Sequence, residues 1–521
     1  MSLLVTRPSE SPTTAATGRP MSEAELAELH LIGKPMPTDR LRGWLVAGFL
    51  ALLGGFIRLQ NLGFPTDKGA PVFDEKHYVP QAWEMLRNGG YEDNPAYELT
   101  VHPPLGKQLI AVSEWLFGYN AWGWRFSAAL AGTLMILLVV RIARRLTRST
   151  LLGGIAGVLL ICDGVSHVQS RMGMLDVFLA FFVLLAFGCV LLDRDQVRSR
   201  LAATVREGWT DESRFGPRLG FRWWRFAAGV SLGLACGSKW SGVFFIAAFG
   251  LMTVIWDATA RRAAGVSSPW KGTLVRDVLP ALWALLLVPL LVYLATWWGW
   301  FASETAVDRH LAEQAAHHGW YDFVPTALRS LWQYSGNVLD FHEHLVTPAK
   351  DQHPWESKPW TWPMGLRPML YYYDGGTITC GADRCVSATM LVGTPALWWL
   401  SLPMLGWGLW RMIGRLDWRY AAVVVAYLAG LLPWFTNLDR QMYFFYATPM
   451  AAFLVLGLVL VLGQILGGAH EGYERRGTGL LVVSLYVGAV VANFVWLWPI
   501  LNGDSITDGH WQAELWLPSW R

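Results

Sequence analysis

The chain contains about eleven apolar runs that are each long enough, or nearly so, to cross a lipid bilayer. A bilayer core about 30 Å thick needs roughly 20 apolar residues per helix. Because 53% of the 521 residues are hydrophobic and only 16% are charged, we predict an all-α integral membrane protein. The runs are 43–62, 122–141, 151–169, 174–192, 224–238, 241–257, 278–299, 391–410, 419–436, 442–464 and 479–499.

The residues before the first run differ in composition from the rest of the chain. The first 40 residues are rich in Ser, Thr, Pro and Glu and contain no apolar segment typical of a signal peptide. We therefore expect 1–40 to be a largely disordered cytoplasmic tail and 41–521 to form one polytopic membrane domain.

The positions of Lys and Arg orient the predicted helices, because basic residues in short loops resist translocation. The loops 63–107 and 300–390 hold 10 basic against 17 acidic residues. The opposite loops hold 20 basic residues, in segments 141–148, 193–222, 261–276, 411–419 and 473–476. We predict a multi-pass plasma-membrane protein with a cytoplasmic N-terminus and two large outward-facing loops, 63–121 and 300–390. The net charge of only +3, in scattered clusters, argues against a nucleic-acid partner.

Ionisable residues gather where the predicted spans reach the outer face. Such residues are costly at a bilayer and mark functional sites by default, although a single Arg or Lys is about as often a membrane anchor. Here, segments remote in sequence bring carboxylates and cations to one leaflet. They are Asp74 and Glu75 in "PVFDEKHYVP", His102 and Lys107 in "HPPLGK", Arg171 and Asp176 in "SRMGMLD", Lys239 in "GSKWSG" and Arg440 in "NLDRQMYFFY".

This combination suits the transfer of a group carried on a lipid phosphate. Nucleotide-activated donors are absent outside a cell membrane, so an outward-facing transferase takes its donor from a lipid. Cations hold the phosphate and stabilise the departing anion, and a carboxylate deprotonates the acceptor hydroxyl as general base. The "DRD" sequence at 193–195 imitates a metal-binding acidic pair, but it lies on the inner side, and we interpret it as solvated surface.

The histidines and cysteines predict no metal site, and we expect no cofactor besides the lipid-linked substrate. The adjacent histidines at 317–318, and His342 with His344, lack the i, i+4 spacing of a helical zinc pair.

Cys380 and Cys385 lie in the large outer loop, where a disulfide can persist. The sequence leaves open whether they are bridged.

Six motifs at these positions resemble the protein O-mannosyltransferase family in its actinobacterial form, over almost the whole chain after residue 40. "FDEKHY" resembles the family's Asp-Glu motif, "HPPLGKQL" its His-Pro-Pro-Leu-Gly-Lys element, "RMGMLD" its Arg-containing turn and "GSKWSG" its Lys-Trp motif. Residues 342–373 resemble its segment with spaced histidines, Ser-x-x-Trp, Trp-Pro and Arg-Pro. "RQMYFFYATPMAAF" resembles its Arg-led aromatic helix.

The resemblance implies a C-superfamily glycosyltransferase fold and an inverting transfer of mannose. The donor is polyprenyl-phosphate mannose and the acceptors are Ser or Thr residues of secreted or membrane proteins. Asp74 matches the general base and Glu75 its neighbour. Arg171, Lys239, Lys107 and Arg440 match positions near the donor phosphate. His102, Asp176, His344 and His353 are further candidates without an assigned role.

Two other functions compete with this hypothesis. One is a related lipid-dependent transferase that acts on a glycan or lipid acceptor. The other is a secondary transporter, which the absence of an inverted repeat and the placement of charges at helix ends disfavour.

Eukaryotic family members insert a β-trefoil domain for which 300–390 is too short. We expect extended acceptor chains to be modified as they leave the translocon.

Overall fold

The computed structural model describes residues 31–93, 101–207, 213–314, 322–346, 353–376, 378–468 and 471–521. Within these residues the chain forms a helical bundle with one small antiparallel sheet. The helices are α1 (Arg40–Leu59), α2 (Glu75–Arg87), α3 (Leu105–Phe117), α4 (Ala121–Thr147), α5 (Thr150–Ile161), α6 (Gly164–Gln169), α7 (Asp176–Arg206), α8 (Trp223–Ser238), α9 (Gly242–Ala263), α10 (Pro269–Thr296), α11 (Trp298–Ala302), α12 (Leu311–Gln314), α13 (Thr326–His344), α14 (Pro395–Trp398), α15 (Ser401–Gly414), α16 (Trp418–Leu431), α17 (Thr448–Leu466), α18 (Tyr473–Trp496), α19 (Trp498–Asn502) and α20 (Asp508–Glu514). The strands are β1 (Met369–Asp374), β2 (Cys385–Leu391) and β3 (Ser505–Thr507).

Eight helices of the described residues are long and apolar enough to cross a membrane. They are α1, α4, α7, α9, α10, α18 and, with the 3₁₀ turns that adjoin them, α16 and α17. The other three predicted runs form shorter or interrupted helices: 151–169 is divided into α5 and α6, 224–238 forms the 16-residue α8, and 391–410 is divided into α14 and α15. Eleven crossings therefore remain a prediction, whereas the helical membrane architecture is confirmed.

The two ends of the bundle differ in charge. We call the end that carries Asp74, Asp176 and Lys239 the acid end, and the end that carries the segments 193–207, 213–222 and 261–276 the basic end. Helix α7 has 31 residues, more than a bilayer needs, so its last turns extend beyond the apolar zone at the basic end.

Part of the segment assigned to the disordered tail is packed against this extension. Leu31 is fully buried in a small apolar cluster with Val197, Leu201 and Ala260. Residues 31–39 thus have contacts with the membrane domain, through Leu31 at α7 and α9 and through the ion pair of Asp39 with Arg144 of α4. Residues 1–30 lie outside the described residues.

The interpretation of "DRD" as solvated surface was wrong for its first two residues, because Asp193 and Arg194 are both buried. Asp193 is fully buried and accepts hydrogen bonds from Arg222 and Arg225. The same two guanidinium groups contact Asp257 at 2.7 and 2.5 Å. The partners come from α8 and α9, so the local composition of α7 gave no sign of this network.

Close packing of α8 against α10 places Lys239. A Cβ atom at Gly229 would lie 1.8 Å from the carbonyl oxygen of Ala284, and one at Gly233 would lie 2.7 Å from that of Pro289. Glycines at this spacing allow two membrane helices to approach closely. Lys239 follows directly after α8 and is thereby held at the acid end.

The sheet combines a hairpin at the end of the second large loop with a strand near the C-terminus, and it adds a β element to the predicted all-α fold. Strands β1 and β2 form a hairpin, and Cys380 is bonded to Cys385 by a disulfide at its tip. Strand β3, which follows α18 and α19, pairs antiparallel with β2. The C-terminal segment thus supports the hairpin that reaches the acid end.

Candidate active site

Asp74 follows a residue in the left-handed backbone region. Phe73 has φ +51°, which is uncommon for a residue other than glycine and is found mainly where surrounding contacts impose it, often at functional sites. Its ring stacks on Tyr371 of β1, with centroids 4.7 Å apart and an interplanar angle of 26°. The hairpin and the turn before α2 therefore hold each other beside Asp74.

Several ionisable side chains lie near the carboxyl group of Asp74. The hydroxyl of Tyr78 donates to its Oδ2 over 3.5 Å. Burial raises the pKa of Asp74 to about 6, although Lys239 and His77 nearby lower it. A carboxylate with this pKa is ionised at neutral pH and is more basic than an exposed aspartate, which suits a general base.

Glu75, the next residue, is engaged by the protein itself. Its two oxygens each accept a hydrogen bond from Arg125 over 2.7 Å, and both side chains are fully buried. The backbone amides of Gly173 and Val72 also donate to it, over 2.6 and 3.3 Å. Glu75 thus joins the Asp74 turn to α4 and to the loop before α7.

Lys239 and Asp176 form a buried ion pair at the acid end. The Lys239 Nζ atom lies 2.9 Å from both carboxylate oxygens of Asp176. It also lies 5.3 Å from the ring centroids of Phe445 and Tyr446, within cation–π distance. The electrostatic influence of Lys239 extends to Asp74, so the three groups belong to one site.

A second cation, Arg440, also lies near the Tyr446 ring. Its guanidinium lies 5.5 Å from the ring centroids of both Trp434 and Tyr446. Its Nη2 donates to the Nδ1 atom of His342 over 3.1 Å and to the hydroxyl of Tyr446 over 3.4 Å. Two cations, Lys239 and Arg440, therefore lie near the Tyr446 ring.

Arg171 lies near the site but is bound to the backbone at the end of α1. Its guanidinium donates to the carbonyl oxygens of Arg58, Gln60 and Asn61 over 2.8, 2.5 and 3.2 Å. Carbonyl groups at a helix C-terminus have no partner within the helix, and Arg171 supplies hydrogen bonds to them. The side chain is only 3% exposed, so this arrangement fixes the turn between α1 and Asp74.

Lys107 joins the two large loops. It is fully buried and forms an ion pair with Glu92. The Glu92 carbonyl accepts a hydrogen bond from the amide of Val307 over 3.0 Å, and the hydroxyls of Tyr91 and Thr305 lie 3.0 Å apart. Lys107 thus fixes the contact between the loop before α3 and the loop after α11.

The histidine candidates separate into two groups. His102 lies near Asp74, because its ring centroid is 5.7 Å from that of Tyr78, whose hydroxyl donates to Asp74. His353 packs edge-on against Tyr443 at 5.4 Å. His344 is 73% exposed and contacts Asp340 one helical turn earlier on α13, away from these residues.

Four residues that the sequence analysis did not select contact the site. Arg125 lies in a predicted span, so the high cost of an ionisable residue there is a signal that identifies it. His342 was part of the family motif, but nothing in the sequence separates its face of α13 from that of His344. Tyr78 and Tyr371 carry no sequence signal beyond their aromatic character.

The described residues contain no group of three or more His, Cys, Asp or Glu side chains arranged to hold a metal ion. The histidines at 317–318 lie outside the described residues.

The helical bundle, with the acid and the cations at its end, has the fold of the C-superfamily membrane glycosyltransferases. The structure matches the Saccharomyces cerevisiae protein O-mannosyltransferase Pmt1-Pmt2 complex bound to the sugar donor, with a TM-score of 0.71 over 97% of this chain and 95% of that chain, at 16% identity. The Archaeoglobus fulgidus oligosaccharyltransferase matches with a TM-score of 0.52 over 92% of this chain and 58% of that chain, at 15% identity. These likenesses show the fold.

The sequence shows the family. Residues 117–302 match the dolichyl-phosphate-mannose-protein mannosyltransferase family, and 327–520 match the C-terminal four-transmembrane region of protein-O-mannosyltransferase. The polyprenol-phosphate-mannose–protein mannosyltransferase of Mycobacterium tuberculosis is 57% identical over 93% of both chains. That of Corynebacterium glutamicum is 43% identical over 92% of this chain and 93% of its own. The chain belongs to the protein mannosyltransferase family, and is a multi-pass membrane glycosyltransferase, as the motifs predicted.

Proposed function

We propose that the protein transfers mannose from polyprenyl-phosphate mannose to Ser or Thr hydroxyls of secreted or membrane proteins. The mycobacterial and corynebacterial relatives are named for this donor and for protein acceptors. The observation that carries the proposal is the placement of Asp74, whose pKa is raised to about 6, beside the Lys239–Asp176 pair.

The transfer is a single displacement with inversion. Asp74 takes the proton of the acceptor hydroxyl while its oxygen forms a bond to the anomeric carbon of mannose. The bond from that carbon to the phosphate oxygen breaks on the opposite face, and its electron pair leaves with the polyprenyl phosphate. Asp74 then releases its proton to solvent, and no covalent enzyme intermediate forms.

The departing phosphate is stabilised by Lys239 and Arg440. Lys239 is held by Asp176 before the donor binds, so a phosphate that enters shares this cation with the aspartate. Charge-assisted contacts of this kind are worth most in a site shielded from water. The contacts of Arg171 and Lys107 favour supporting roles for these two residues. We propose that the reaction needs no metal or cofactor besides the donor.

The acid end faces outward in this proposal, and the basic end faces the cytoplasm. The positive-inside distribution of Lys and Arg supports this orientation. The Cys380–Cys385 disulfide lies in the hairpin that contacts Phe73, and disulfides persist in oxidising compartments outside the cytoplasm. Acceptor chains reach the site in extended form as they leave the translocon.

The test is a transfer assay with the purified protein, labelled polyprenyl-phosphate mannose and a Thr-rich peptide. We expect labelled peptide with the wild type and about two to four orders of magnitude less with Asp74→Asn. The anomeric configuration of the product, compared with that of the donor, reports inversion. Label that appears only in added glycan or lipid would instead establish the competing transferase function.

A further inference from the structure

His342 connects Arg440 to the loop beside the acid. It lies near the end of α13, where its Nδ1 atom is 3.1 Å from Nη2 of Arg440. Its Nε2 atom is 3.4 Å from the carbonyl oxygen of Val101. Its ring stacks on His102, with centroids 5.8 Å apart and an interplanar angle of 29°. Three separate segments thus meet at this imidazole.

The partners of His342 define its tautomer. An arginine only donates hydrogen bonds, so Nδ1 must be the acceptor, and a carbonyl oxygen only accepts, so Nε2 carries the hydrogen. The ring is therefore neutral in this arrangement. Burial and the charge of Arg440 lower the pKa of His342 to about 4, which agrees with a neutral ring.

A neutral imidazole with its lone pair toward Arg440 restricts a side chain that is otherwise flexible. The hydroxyl of Tyr446 accepts from the same Nη2 atom over 3.4 Å. The guanidinium is held between these two acceptors and above the Trp434 and Tyr446 rings. An arginine fork that is oriented before its ligand arrives loses less entropy on binding.

We propose that His342 is a positioning residue that orients Arg440 toward the donor phosphate through the lone pair on Nδ1. The proposal rests on the role of Arg440 in the proposed function. His344, two residues further along the same helix, has no such contact and serves as the matched control.

The test exploits the two ring nitrogens. The amide of Asn is close to the backbone, so in His342→Asn its oxygen can lie where Nδ1 of the histidine lies. The amide of Gln is one carbon further out, so in His342→Gln it lies near the position of Nε2. We expect His342→Asn to keep the KM for polyprenyl-phosphate mannose within about two-fold of the wild type. His342→Gln removes a hydrogen bond to a charged group and should raise this KM roughly ten-fold, with the KM for the peptide unchanged. His344→Asn should match the wild type.

A double substitution tests whether His342 acts through Arg440. If it does, adding His342→Gln to Arg440→Gln should change the donor KM by less than about two-fold, because the oriented group is already absent. Additive effects, an unchanged donor KM in His342→Gln, or a change in the peptide KM alone would each overturn the proposal. Thermal unfolding in detergent identifies variants that fail to fold. If the single variant His342→Gln does not fold, the proposal is decided by comparing the donor KM of the double variant with that of Arg440→Gln. An inactive wild type and an inactive His344→Asn would instead refute the proposed function.

Discussion

Glu75 and Arg125 form a fully buried bidentate ion pair, with both N–O distances 2.7 Å, at the position that follows Asp74 in the chain. Successive side chains at the start of a helix point about 100° apart, so the two adjacent acids face different surroundings. Glu75 faces α4 and is saturated by hydrogen bonds. Asp74 lies within the electrostatic influence of Lys239 and Asp176, and the residue as a whole is only partly buried.

Asp74→Asn should lower kcat by about two to four orders of magnitude, since an amide of the same size cannot accept the proton. Donor binding should persist, because no phosphate contact is lost. The measurement is turnover with labelled donor together with equilibrium donor binding. Asp67→Asn, an exposed acid in the same loop, is the control. Wild-type turnover in Asp74→Asn would refute the general-base assignment.

Glu75→Gln should act mainly on stability. Removing one partner of a buried ion pair leaves an unpaired charge and costs about 3–5 kcal/mol. We expect a lower unfolding temperature in detergent for Glu75→Gln and for Arg125→Met, and a smaller loss in the double variant Glu75→Gln/Arg125→Met. Glu343→Gln, at an exposed position of α13, should leave the unfolding temperature unchanged. A Glu75→Gln protein of wild-type stability without turnover would show that Glu75 takes part in the chemistry.

The pH dependence of transfer should report Asp74. Below its pKa of about 6 the carboxyl group is protonated and cannot take the acceptor proton, so kcat/KM should fall about ten-fold per pH unit as the pH decreases. Above this pKa the rate should reach a plateau. A pH series with the peptide acceptor measures the acidic limb. An apparent pKa near 4, the usual value for an exposed aspartate, would contradict the burial of Asp74.

Lys239→Met should raise the donor KM more than the acceptor KM, because the phosphate loses a cation. The change also leaves Asp176 buried without its partner, so we expect a lower unfolding temperature in the same variant. Steady-state kinetics with each substrate varied in turn separates the two effects. Lys76→Met, which removes an exposed lysine from the start of α2, is the control. Equal donor KM values in Lys239→Met and the wild type would show that Lys239 only supports the fold.

Labelling of cysteines in intact cells tests the orientation. A membrane-impermeant thiol reagent should modify Asp340→Cys, at a 75% exposed side chain of α13, without permeabilisation. It should modify Ala203→Cys, on the exposed face of the α7 extension, only after permeabilisation. The native cysteines outside the disulfide are buried, so the background is low. The reverse sidedness would place the acid end in the cytoplasm and remove the reason for a lipid donor.

The sequence by itself determined the membrane class, the order of the helices, the family and the segments that carry the acid and the cations. These features follow from local information: apolar length sets a span, and short motifs persist wherever the chain folds. Asp74, Asp176 and Lys239 were found in this way, because ionisable groups at the ends of apolar runs stand out.

Only the tertiary structure decided which of these groups face one another. Long-range packing decided four features of the site and the bundle. Glu75 pairs with Arg125, Arg171 binds the end of α1, Asp193 is buried, and His342 rather than His344 reaches Arg440. The rotation of each helix about its axis selects the face that is buried, and that rotation is set by contacts such as those of Gly229 and Gly233 with α10. Such contacts join residues tens to hundreds of positions apart, so no local pattern in the sequence encodes them.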